Sequence, residues 1–180
     1  MLRLFIALSP PVEIGQELER LAGGVPGARW VPLESLHITL RFLGEVDETR
    51  AADIDEALQT VHAEKIAILL RGAGLFVRHG RPHSLWIGID PTPALLHLRR
   101  RIDSALIRIG ETPERRAFTP HLTLARLSRD ASLPKAQDFV AGHNLYRNGF
   151  DAPEFRLFSS RPSKSGQVYT PLAAYPLPFP

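Results

Sequence analysis

Among the 180 residues there is no cysteine. This excludes disulfide scaffolds, zinc ribbons and thiol nucleophiles together, and it suits a reducing compartment. Long apolar runs are missing too. The N-terminal run Leu2–Leu8 falls far short of the roughly 18 residues of a membrane helix. Pro10 and Pro11 follow at once, so the run predicts a first β-strand rather than a signal segment. The expectation is a soluble, cytoplasmic protein. The one His-x-x-x-His pair, His79 and His83, encloses Gly80-Arg81-Pro82, a turn rather than a helical face, so no metal is expected. Gly72-Ala73-Gly74 lacks the Lys-Ser/Thr of a phosphate loop. Ser159 and Ser160 lack the setting of a nucleophile elbow.

What is present is an ordinary globular composition. The hydrophobic fraction is 44%, enough to bury a sizeable core. The net charge is +3, and arginine dominates it, as in Arg99-Arg100-Arg101 and Arg115-Arg116. Such runs read either as a solvated surface or as attraction to a polyanion such as RNA. Arginine suits phosphate because its planar fork donates two hydrogen bonds at once.

Patterning predicts strands over Leu2–Leu8, Leu36–Leu43 (ending at Gly44), Lys65–Leu70, Ser84–Asp90, Pro120–Leu127, Glu154–Ser159 and Val168–Ala174. Trp30-Val31 opens a further extended stretch. Helices are predicted over Val12–Leu21, from the Asp47 cap to about His62, from Thr92-Pro93 to Gly110, and over Pro134–Ala141. The third carries Arg99, Arg100 and Arg101 on its expected outer face. The end, Tyr175 to Pro180, is expected to be an extended tail outside any sheet. Irregular mixing of strands and helices argues for an α+β fold. The expectation is one domain over 1–180 in which several close strand pairs are antiparallel.

Internal repetition is the strongest signal. His37-Ile38-Thr39-Leu40 and His121-Leu122-Thr123-Leu124 stand about half the chain apart. In a strand, residues i and i+2 share a face. Each motif therefore exposes one histidine and one threonine while burying two aliphatic residues. A duplicated lobe would bring the strands face to face by pseudo-twofold symmetry. Two imidazoles so placed suit in-line displacement at a phosphodiester, one as base and one as acid. The ordinary histidine pKa of about 6.5 leaves both forms accessible near neutral pH. The threonine hydroxyls can donate to non-bridging phosphate oxygens. The other histidines read as decoys: His62 and His97 on helices, His79, His83 and His143 in loops. Trp86 reads as core.

Further stretches carry a family resemblance. Leu4–Leu8, Leu36–Val46, Arg81–Gly88, Phe118–Arg126 and Leu157–Tyr169 together resemble the RNA 2′,3′-cyclic phosphodiesterases, also called bacterial 2′-5′ RNA ligases. These belong to the two-histidine phosphoesterase superfamily, and the resemblance implies a two-lobed α/β architecture, with pseudo-twofold duplicated lobes, antiparallel sheets around a central cleft and helices outside. The resemblance implies His37 as proton donor, His121 as proton acceptor, and Thr39, Thr123 and Arg126 as phosphate ligands. It implies Phe42 as a contact to the terminal base. Simple alternation puts Phe42 and Arg126 on the opposite face from their histidines, unless a bulge redirects them. The implied reaction opens a terminal cyclic phosphate on RNA to a 2′-phosphomonoester without cofactor or metal, and its reverse is 2′-5′ ligation. The implied partner is RNA with that terminus, with no membrane, the chain acting as a monomer. Alternatives are a phosphodiesterase for 2′-5′ oligonucleotides or small cyclic nucleotides, and a non-catalytic RNA-end binding module.

Overall fold

Three helices begin where a short polar side chain turns the chain. Asp47, Thr92 and Ser132 accept the backbone N–H groups of Arg50, Leu95 and Lys135, satisfying donors that the first helical turn leaves open. The computed structural model describes residues 1–178. Its elements run β1 (Leu2–Leu8), α1 (Val12–Glu19), β2 (Ala28–Trp30), a 3₁₀ turn (Leu33–Ser35), β3 (Ile38–Val46), α2 (Glu48–Gln59), β4 (Ile66–Arg78) and β5 (Arg81–Ile89). There follow α3 (Pro93–Arg108), β6 (His121–Leu127), α4 (Leu133–Gly142), β7 (Arg147–Ala152), β8 (Glu154–Ser163) and β9 (Gly166–Pro176). The fold is α+β, as the element pattern predicts.

All strand pairs are antiparallel, in the order β7-β4-β5-β6-β3-β1-β8-β9, with β2 added on β6. The two expected sheets are thus two arms of one continuous sheet. The seam between them is the pairing of β3 with β6, at Ile38 and Leu122. Each arm draws on both halves of the chain. β4 and β5 join β6 and β7 in one arm, and β8 and β9 join β1 and β3 in the other. The main core collects Leu4, Ile6, Leu8, Ile38, Leu40, Leu122 and Leu124 with the apolar faces of the helices. A separate small cluster, Phe5, Ala7 and Phe158 with Tyr169, lies apart from it. β1 is covered on both faces, which is why its sequence alternates poorly.

Four expectations need correction. Arg99 does not face outward: it is 7% exposed and ion-pairs with Asp103, which also takes a hydrogen bond from Arg41 (6% exposed) at 3.1 Å. The end of the chain is not a free tail. Tyr175 and Pro176 finish β9 opposite Phe155 and Glu154, and Leu177 N–H donates to Pro153. β9 is an edge strand, where a proline without N–H costs no ladder bond. Phe179 and Pro180 lie outside the described residues. β3 passes through Gly44 to Val46 by a register shift. β7 was not expected at all. Among the described residues no helix is long and apolar enough to cross a membrane.

Candidate functional site

The seam places both motifs. Ile38 and Leu122 are partners and fully buried. Their neighbours His37, Thr39, His121 and Thr123 are half-buried on the other face. Antiparallel register sets each histidine beside the other motif's threonine across the seam. The two halves of the site therefore meet at the point where the two arms join.

Both imidazoles are tethered alike. His37 Nδ1 lies 2.8 Å from the Ser35 carbonyl, and His121 Nδ1 lies 2.8 Å from the Thr119 carbonyl. A carbonyl only accepts, so each Nδ1 carries the hydrogen and Nε2 is left for chemistry. The scaffolds behind the tethers differ. Ser35 ends the 3₁₀ turn, whereas Thr119 lies in the irregular stretch before β6.

A bulge turns each strand at the same motif position. Ala7 pairs with Thr39 and Ile6 with Arg41, so Leu40 is an extra residue in β3. Trp86 pairs with Thr123 and Leu85 with Ala125, so Leu124 is an extra residue in β6. Each bulge shifts the alternation by one. Residues 38–42 and 122–126 share one burial pattern: buried, half-buried, buried, buried, exposed. Phe42 (65% exposed) and Arg126 thereby come to the face of their histidines. They occupy equivalent positions in the two repeats, five residues past each histidine.

The surroundings are unequal. The His37 ring lies 4.9 Å from both Phe5 and Tyr169, and Phe5 continues to Phe42 at 6.2 Å and Phe158 at 5.2 Å. Burial holds the His37 pKa below its ordinary value, and the charges of Arg126 and His121 push the same way; the Ser35 carbonyl opposes them. His121 packs edge-on to Phe76 at 5.0 Å, with Trp86 at 6.1 Å. Trp86 is half-buried beside the site rather than in the main core. Its indole lies flat on Gly74, where a Cβ would sit 2.1 Å from the ring, so only glycine fits there.

The residues match a known family twice over. The model for LigT-like phosphoesterases matches residues 8–86 and again 87–169. The chain belongs to the LigT-like phosphoesterase family. An RNA 2′,3′-cyclic phosphodiesterase of Aeropyrum pernix is 36% identical over 151 residues, covering 83% of this chain and 85% of its own. The Archaeoglobus fulgidus protein of the same name is 32% identical over 178 residues, covering 97% and 99%. The crystal structure of Escherichia coli LigT complexed with 3′-AMP superposes with a TM-score of 0.78 at 26% identity, over 98% of each chain.

The LigT-like site also holds residues that local patterning did not flag. Phe5, Phe76 and Tyr169 come from strands distant in sequence. The period-two pattern of Phe5 with Ala7 was the available signal. Of the remaining histidines, His83 lies in β5 rather than in a loop and feels the charge of Arg126. His143 bonds the Phe139 carbonyl at the end of α4, and His97 accepts from Arg101.

Proposed function

We propose that this LigT-like phosphoesterase opens the terminal 2′,3′-cyclic phosphate of RNA and leaves a 2′-phosphomonoester. The observation that carries this reading is the matched pair. Two imidazoles, tethered identically through Nδ1, flank one strand seam with a threonine beside each. The names of the Aeropyrum and Archaeoglobus relatives support the substrate, and the 3′-AMP complex of E. coli LigT supports a nucleotide in the site.

Water attacks the phosphorus in line with the bond to O3′. Neutral His121 takes the water proton at Nε2. As the P–O3′ bond breaks, protonated His37 delivers its Nε2 proton to O3′, while the bond to O2′ stays. Thr39 and Thr123 donate to non-bridging oxygens, and Arg126 offsets their charge. Phe42 supports the terminal base. The bound phosphate also offsets the Arg126 charge that disfavours protonated His37. Proton exchange with solvent restores both rings. The reverse path joins a cyclic phosphate to a 5′-hydroxyl as a 2′-5′ linkage. The site draws on strands from both ends of the chain, so we take 1–180 as one functional unit, acting as a monomer in the cytoplasm.

The test is hydrolysis of a short RNA ending in a cyclic phosphate, with EDTA present and the product's phosphate position determined. His37→Ala and His121→Ala should each lower kcat by about 10²–10⁴, with thermal unfolding preserved. Activity that survives either substitution, vanishes on chelation, or yields a 3′-phosphate would overturn this reading. A non-catalytic RNA-end module would bind without turnover.

A further inference from the structure

We propose that Arg29, side by side with Arg126, holds the phosphodiester on the 5′ side of the terminal nucleotide, which makes the substrate an RNA chain end rather than a free cyclic nucleotide. This rests on the reaction assigned above and adds a second phosphate site to it.

β2 adds to β6 through three residues, and Arg29 is the direct partner of Arg126. Directly opposed residues of an antiparallel pair project to one face. That face is the one His121 and Thr123 share, because the extra residue at Leu124 has turned Arg126 onto it. Both arginines are exposed. Like charges directly opposite each other destabilise a sheet. Elsewhere Arg41, Arg50, Arg71, Arg99 and Arg156 each meet a carboxylate within 4.0 Å. Among the described residues, neither Arg29 nor Arg126 has such a partner. An anion between the two guanidiniums converts the repulsion into two charge-assisted contacts.

The terminal phosphate does not fill this position. It belongs between the histidines, and Arg29 stands one strand beyond Arg126, roughly 5 Å farther across the ladder. The five donors of Arg126 allow it to serve both phosphates. Arg29 also marks an end of the site. Its Nη1 lies over the β8–β9 turn, 3.6 Å from where a Cβ of Gly166 would sit. Gly166 has φ +129°, so a glycine suits this turn for its backbone as well. The same turn carries the exposed Lys164. On the other side, Ser84 is the β5 partner of Arg126. Its neighbour His83 feels the charges of Arg78 and Arg126, which add to burial in lowering its pKa. The positive field therefore continues past the terminal nucleotide in both directions along this row.

A 2′,3′-cyclic mononucleotide has one phosphate and cannot occupy the second site. Arg29→Gln should raise KM about tenfold for a tetranucleotide ending in a cyclic phosphate. Hydrolysis of the cyclic mononucleotide should change less than twofold. The salt slope of log kcat/KM on the tetranucleotide should become shallower by about 0.7, one single-strand phosphate contact. Arg29→Lys should keep that slope. An equal loss on both substrates, or no loss on either, overturns the proposal. Binding of a tetranucleotide with a 2′-phosphate end, followed by fluorescence anisotropy, needs no turnover. If the chain hydrolyses neither substrate yet Arg29→Gln weakens this binding tenfold, the reaction assignment fails and the second phosphate site stands. Equal binding by both proteins sinks the site.

Discussion

His37 and His121 share a tether but not an environment, and the difference is measurable. Burial, Arg126 and His121 all disfavour the imidazolium of His37. A folded-state pKa below the unfolded one means that the unfolded chain binds the proton more readily. The stability tied to His37 is therefore full above the ordinary histidine pKa and is lost as pH falls through the lowered value. Arg126→Gln removes one of the causes and should raise the His37 pKa in the free protein, as followed by NMR titration of the ring protons. With His37 as the acid, the falling limb of kcat/KM moves to higher pH in that variant. Movement of the rising limb instead would exchange the roles of the two histidines. At this scale the sequence was informative where the strand period holds. His37 with Thr39, and His121 with Thr123, follow from alternation. Phe42 and Arg126 do not, because a bulge is an interruption of that period. Their equal distance from each histidine was the one hint that a common device redirects both.

Charge patterning misleads where a helix packs on a strand. Arg99 looks like part of a solvated arginine run, yet it lies beside Leu98 on the inward side of α3. Asp103 serves Arg99 and Arg41 together, Arg41 also bonds the Thr112 carbonyl, and the Arg99 guanidinium stands 5.3 Å from the Phe118 ring centre. Burial, then the charge of Arg41, lowers the Arg99 pKa to about 10. Asp103→Ala leaves two buried guanidiniums without their carboxylate. It should cost about 3–5 kcal/mol in urea unfolding; a cost near zero would mean that water already solvates the pair. Gly74→Val should displace the Trp86 indole and reduce turnover by disturbing the wall beside His121, while His37 keeps its NMR titration. Helix starts were legible because Asp47, Thr92 and Ser132 are local signals. β7 was not, because Asn148, Gly149 and Asp151 read as turn residues, and an edge strand needs little apolar surface.

The duplicated motif announced two related halves, but not that each arm of the sheet is built from strands of both. Pairing partners are chosen by packing across the whole molecule, and no local pattern records them. The C-terminal strand is fastened far from its neighbours in sequence: the Tyr175 hydroxyl donates to Asp55 on α2 at 2.6 Å. Burial, with that bond and the Asp55 charge, raises the Tyr175 pKa well above its ordinary value. Tyr175→Phe should cost about 1 kcal/mol, seen as a lower Tm with an unchanged fold. The pairing of β1 with β8 has a further consequence, for synthesis. β1 leaves the ribosome long before β8, so Leu4 waits for Ser159. Until then β1 offers an open edge, and Tyr169 is not yet there to cover His37. A nascent chain that stops before β8 already contains both His-x-Thr-Leu motifs but lacks Phe158 and Tyr169, so the surroundings of His37 are completed only by the last strands described.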